Sequence, residues 1–376
     1  MSHNLSVTKS APHIRSKMNI VKAFNYVILA LIPVTLYGCY NVGYNAFRAA
    51  SNNQGTLPDV RLKFFEYLGF LPDFNNIQAC FFYGLMVFAP FFIVSLVLGK
   101  ASEFIFAKIR GKELSGGILL TALLYSLTLP PTLSVWQAGV GIVFGVLVAR
   151  EFFGGLGKNF INPALTARVF VFFSYPANMS GNRLWVAIDS YTGATGLGVA
   201  REGGMPALSE HYVWYDAFIG NIPGSIGETS ALLCLIAAVF LILTRVANWR
   251  IIFGVWFGVM FMSGLFNLVA HISSSFINIP VKPMFYMTWP WHMVLGGLAF
   301  GAVFMATDPV SSCQTNGGRL FYGFFIGVMT VLIRVTGTSF AEGIMLAILL
   351  GNICAPLIDY VVVRNNIRRR LKKNVS

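Results

Sequence analysis

The sequence predicts an all-α polytopic membrane protein of about ten transmembrane helices. Three observations lead there. Hydrophobic residues make up 56% of the 376 and charged residues only 11%, where a soluble domain is about a quarter charged. The apolar residues gather in runs close to the ~20 needed to cross a hydrocarbon core. In lipid, each backbone amide must be satisfied within its own segment, which selects helices.

The chain divides in order. Residues 1–22 are polar and basic, and read as a cytoplasmic N-terminal segment. The apolar run that follows is too long for the core of a cleavable signal. Hydropathy places spans at about 23–44, 79–99, 117–130, 136–153 and 162–177, then 228–246, 251–270, 292–307, 319–335 and 343–363. Pro130-Pro131 closes the third, because proline cannot continue a helix. The spans form a first half (23–177) and a second half (228–363) about an outer loop (178–227), with a basic tail (364–376). Five spans per half is an odd number, which would make the halves inverted repeats, as in many transporters. The sequence echo between them is faint.

Charge gives the sidedness. With the N-terminus inside, the inner segments hold 18 Lys and Arg and the outer ones 7. Basic residues favour the cytoplasm, so both termini are expected inside and the 178–227 loop outside. The net charge of +13 is therefore topological rather than a nucleic-acid footprint. Cys39, Cys80, Cys234, Cys313 and Cys354 are scattered without a C-x-x-C. No metal cluster is expected from this chain alone.

Two segments carry chemistry. Arg150–Pro163 reads Arg-Glu-Phe-Phe-Gly-Gly-Leu-Gly-Lys-Asn-Phe-Ile-Asn-Pro. Its glycines allow unusual dihedrals. Asn159 and Asn162 share a face if a helix has begun, and amides both donate and accept, which suits the edge of a flavin or quinone. The plainer reading is a turn in which Asn162 caps a helix starting at Pro163. The second segment, Asp189-Ser-Tyr-Thr-Gly-Ala-Thr-Gly196, is a polar loop ending in a hydroxyl. It reads as a surface turn or as a place for a phosphoester on Thr195.

Intramembrane charges are functional candidates by default. Glu103, Glu151, Asp308 and Asp359 fall at cytoplasmic span ends, where solvated helix ends are the simple alternative. Ser225-x-x-Glu228 and Ser339-x-x-Glu342 read as capping boxes. Arg168 and Arg334 are available to pair with a phosphate or carboxylate. The six cations of Arg364–Lys373 read as an anchor at the membrane surface.

From about residue 17 onward the chain resembles the NqrB family of the Na+-translocating NADH:quinone oxidoreductase, and more distantly the RnfD family of the Rnf complex. The resemblance is carried by Leu129-Pro-Pro-Thr-Leu133, Phe153–Ala164, Thr192-Gly-Ala-Thr195, Asp216–Glu228, Phe304-Met-Ala-Thr-Asp-Pro-Val310 and the Val361–Leu371 tail. It implies a translocase component in the bacterial inner membrane, coupling electron flow to Na+ export. It implies FMN joined by a phosphodiester to Thr195, with Asp189 and Thr192 as neighbours, put there by a flavin transferase. It implies a non-covalent riboflavin at Asn159 and Asn162. A glycine pair at the family's quinone site here reads Gly99-Lys100, a departure that puts a long cation beside the headgroup. The same resemblance marks Glu103, Asp308 and Asp359 as carboxylates affecting Na+ uptake. Implied partners are the other subunits, among them a second covalent-FMN subunit and the NADH-oxidising one, with quinone and Na+. Two rivals remain: an Rnf-type component, and a secondary transporter or channel without redox function.

Overall fold

In the computed structural model, residues 19–375 are described apart from 53–55, 68, 112, 115, 182–183, 190–192, 278–280 and 338–341. Thr192, Ser190 and Ser339 lie outside the described residues. Among the described residues the fold is helical, with one isolated β-bridge between Thr56 and Asp189.

The first half holds α1 (Ile20–Ser51), α2 (Asp59–Tyr67), α3 (Ile77–Arg110), α4 (Ile118–Leu127), α5 (Val135–Val146) and α6 (Pro163–Ser174). The connecting segment contains α7 (Gly196–His211) and α8 (Trp214–Ile219). The second half holds α9 (Ala231–Leu243), α10 (Trp249–Ile272), α11 (Trp289–Val294), α12 (Leu298–Phe300), α13 (Asn316–Thr336) and α14 (Ile344–Val375). Local chemistry sets the boundaries. Asn76, Ser230, Asn248 and Thr315 each cap a helix N-terminus with a side-chain oxygen. Gly111, in the left-handed region at φ 62°, ends α3.

Five helices are long and apolar enough to cross a membrane: Ile20–Ser51, Ile77–Arg110, Trp249–Ser275, Asn316–Thr336 and Ile344–Lys372. The protein is therefore a multi-pass membrane protein. The shorter apolar helices α4, α6 and α9 span 10, 12 and 13 residues, too few to cross alone at 1.5 Å rise per residue. The predicted span 292–307 is not one helix. It breaks at Leu295–Gly297, where Gly296 takes φ +66°, and resumes as α12 and a π-helical turn, Gly301–Met305. The adjacent glycines make that break possible, since a β-carbon at Gly296 would be strained.

Packing follows close backbone approach. In α1·α3, a methyl on Gly43 would overlap the Cys80 carbonyl and one on Gly84 the Cys39 carbonyl. In α10·α13, Gly258 meets the Phe324 carbonyl and Gly327 that of Val255. Small residues let membrane helices pack where lipid gives no hydrophobic drive. The connecting segment is fastened to the helices by hydrogen bonds. Tyr83 donates to the Ala187 carbonyl at 2.6 Å, and Asn41 to that of Ile222 at 3.0 Å.

Candidate functional site

Two polar regions stand out in this apolar body. The first lies where α5 ends in a π-helical turn, Leu147–Glu151, and turns back through the glycine-rich hairpin into α6. Gly154, Gly155 and Gly157 have φ of 110°, 96° and 83°, the left-handed region that side chains resist. That requirement explains the glycine run. Asn162 caps α6 by accepting from the Ala164 N–H at 3.0 Å, with Pro163 in the first turn, as the plainer sequence reading has it. Its amide donors are left for other use. Asn159 is 6% exposed and donates to the Ile161 carbonyl at 3.3 Å. Its Oδ1 is buried without a hydrogen-bond partner, a costly condition unless something binds there.

A cavity opens beside these asparagines. Its walls include Phe24, Arg150, Asn159, Asn162, Phe304 and Asp308. Asp308 arrives from the second half, just after the π-helical turn Gly301–Met305. Two π-helical turns, of a kind often found at functional sites, thus end against one cavity. Asp308 accepts from the Ser311 hydroxyl at 2.7 Å and the Val310 N–H at 3.3 Å. Burial pushes its carboxyl above the ordinary range, and those hydrogen bonds oppose the shift. Behind the cavity, Arg150, 1% exposed, donates to Glu103 at 2.7 Å, and Arg110 donates to Glu151 at 2.8 Å. Glu103 and Glu151 are thus paired rather than solvated.

The second region lies at Thr195. Its hydroxyl oxygen caps α7, accepting from the Gly198 N–H at 3.2 Å, and the residue is partly exposed. It borders a cleft with Trp185, Ile222, Glu228, Leu295 and Glu342. Asp189 is exposed, and its backbone pairs with Thr56. Beneath the cleft Arg168 of α6 donates to Glu228 at 2.6 Å and also to Glu342. Arg334 donates to the carbonyls of His292, Leu295 and Glu342 at 2.6, 2.9 and 2.8 Å. It thereby satisfies carbonyls where α11 breaks off.

The capping-box expectation for Glu228 is corrected here. The cap of α9 is Ser230, which accepts from the Leu233 N–H at 3.3 Å, and the Glu228 carboxylate turns inward to Arg168. Glu342 pairs likewise. A buried guanidinium needs a counter-charge more than a helix end needs a second cap. Sequence reading left the partners of Arg168 and Arg334 open. The available signal was the near balance of acidic and basic residues inside predicted spans, where charges are expected to pair.

The remaining expected residues are dispersed. Asp359 on α14 accepts from the backbone N–H groups of Gln314 and Thr315 at 2.7 and 3.0 Å, and from the Thr315 hydroxyl. It buttresses the start of α13. Gly99 is buried against Ile118 and Ile142, whereas Lys100 is exposed. Neither lines the two cavities described above. Among the described residues, no group of three or more His, Cys, Asp or Glu is placed to hold a metal ion.

Residues 7–368 match the NQR2, RnfD, RnfE family. The chain is 47% identical over 371 residues to a protein of Chromohalobacter salexigens, covering 99% of this chain and 88% of that one. It is 46% identical to one of Azotobacter vinelandii (98% and 91% covered) and 44% identical to one of Pseudomonas aeruginosa (98% and 90%). Each of these relatives is named as the NqrB component of a Na(+)-translocating NADH-quinone reductase.

Proposed function

The chain belongs to the NQR2, RnfD, RnfE family, and on that premise we propose that it is the membrane flavoprotein component of a Na+-translocating NADH:quinone oxidoreductase. It carries FMN on the Thr195 hydroxyl and riboflavin between Asn159, Asn162 and the aromatic walls of their cavity, and passes electrons towards quinone as Na+ is exported. The names of its relatives favour this complex over the Rnf type and over a transporter without redox function. The flavins supply the redox chemistry, and this chain supplies placement and electrostatics.

The observation that carries the reading is the orphaned Asn159 Oδ1 in a cavity that also holds the Asn162 amide. One acceptor and a set of donors face a space walled by Phe24 and Phe304, which suits a planar heteroaromatic ring with a polar edge. Thr195 fits its role for a separate reason. A phosphodiester on its hydroxyl places negative charge at the N-terminus of the 16-residue helix α7, where free N–H groups and the helix dipole favour anions.

The finer topology belongs to the same proposal. Ten membrane segments form two inverted halves, with short and broken helices completing the crossings beside the five long ones. The protein sits in the bacterial inner membrane with both termini cytoplasmic and Thr195 on the outer side, within reach of a flavin transferase. Glu103, Asp308 and Asp359 influence Na+ uptake, and Gly99 borders the quinone with Lys100 facing away. Its partners are the NADH-oxidising subunit, a second covalent-FMN subunit and the rest of the complex.

The test is flavin fluorescence in a denaturing gel. Complex from cells that possess the transferase should give a fluorescent band near 41.3 kDa, and Thr195→Ala should give a dark band of equal protein. A dark wild-type band would sink the proposal.

A further inference from the structure

Glu103, Asp308 and Asp359 share an expected effect on Na+, but the fold separates them. Glu103 is held by the buried Arg150 guanidinium. Asp359 is saturated by three donors at the start of α13. Asp308 alone of the three lines the cavity that contains Asn159 and Asn162.

We propose that Asp308 is a flavin-binding residue: its carboxyl is the third polar wall of the Asn159–Asn162 cavity and accepts a hydrogen bond from the bound flavin. This rests on the riboflavin reading above and deepens it. The asparagines come from the hairpin before α6, and Asp308 comes from the turn before α13. The ligand is then gripped between the two halves of the chain.

Hydrogen-bond arithmetic supports the assignment. A carboxylate has about four lone-pair sites. The Ser311 hydroxyl and the N–H groups of Val310 and Ser311 leave at least one of them open. The remaining capacity is oriented by a short turn that Pro309 stiffens. A flavin offers an imide N–H and several ribityl hydroxyls, all donors. The Asn162 amide, its oxygen already committed to the helix cap, supplies donors for the ring carbonyls. Asn159 Oδ1 is one acceptor in the cavity, and Asp308 supplies the acceptor on the opposite wall. Burial that disfavours the free carboxylate is relieved when a donor arrives.

The two carboxylates should then reach Na+ by different routes. Substituting Asp308 changes the Na+ response of the complex through the flavin cavity, whereas substituting Asp359 acts at the start of α13.

The experiment uses the purified, assembled complex and measures extractable riboflavin per complex, with covalent FMN on Thr195 as the internal measure of folding. Asp308→Ala should lose most of its riboflavin while keeping covalent FMN. Asp308→Asn, which retains an acceptor, should recover it, with the visible absorption band of the bound flavin shifted from wild type. Asp359→Asn should match wild type in content and band position. If Asp308→Ala keeps full riboflavin, or Asp308→Asn leaves the band unmoved, the proposal is overturned. If Asp308→Ala fails to assemble, the Asn variant's spectrum decides alone. The underlying reading fails differently, through Asn159→Ala and Asn162→Ala complexes that keep full riboflavin whatever Asp308 does.

Discussion

The two polar regions of this molecule treat burial in opposite ways. At the cleft beneath Thr195, the Arg168 guanidinium has two carboxylate partners, and all three donor nitrogens of Arg334 have a carbonyl. At the cavity beside α6, Asn159 keeps an acceptor buried without a partner. A satisfied network holds elements together. An orphaned polar atom lined up with a second amide is the kind of group that a ligand completes. The first region cross-links α6, the entry to α9 and the entry to α14 under the proposed attachment point. The second is built to bind rather than to brace.

The contrast can be broken most severely at Arg168. Arg168→Ala leaves Glu228 and Glu342 buried together without their counter-charge, which should cost about 3–5 kcal/mol. Thermal unfolding of the purified complex should show a large loss, or no complex should assemble. Combining Arg168→Met with Glu228→Gln and Glu342→Gln should recover much of it. A fully stable Arg168→Ala would mean that the network is not a cross-link.

Asn162 belongs to both categories. Asn162→Ala removes the α6 cap, worth about 1 kcal/mol, and should lower riboflavin content as well. Asn162→Asp keeps the cap, so it should restore stability without restoring the flavin. Equal flavin loss and stability loss in both variants would collapse that distinction.

Asp359→Asn weakens charged hydrogen bonds to Gln314 and Thr315 and should cost about 1 kcal/mol. If the Na+ reading of this residue holds, Asp359→Ala raises the Na+ concentration needed for half-maximal activity. An unshifted Na+ dependence leaves the helix-buttressing role alone.

Asn159→Ala should have the smallest effect on folding. Its Oδ1 has no partner to lose, so stability should stay within about 1 kcal/mol. Non-covalent riboflavin should nevertheless fall. A destabilised Asn159→Ala would place this side chain in the scaffold, and the two regions would then differ less than their hydrogen bonding indicates.

Much of the helical plan was legible in advance. Each predicted span has a helical counterpart, because long apolar runs in lipid leave the backbone little choice. The Asn162–Pro163 cap was legible too, since its signal is local. The break at Leu295–Gly297 escaped, because hydropathy averages over a window and two glycines barely lower it. The inward turn of Glu228 escaped for another reason. Its spacing from Ser225 fits a capping box, and only the Arg168 side chain, 60 residues away in sequence, redirects it.

The sequence by itself determined that this is a helical membrane protein and which family it joins. It also marked Asn159, Asn162 and Thr195, because composition, hydropathy and ordered motifs are properties of the linear chain. The tertiary structure alone decided which charges meet. It paired Arg168 with Glu228 and Glu342, set Asp359 at the start of α13, and carried Asp308 across to the asparagines. Pairing energies depend on distances of a few ångströms between segments far apart in the chain, and no local pattern encodes those distances.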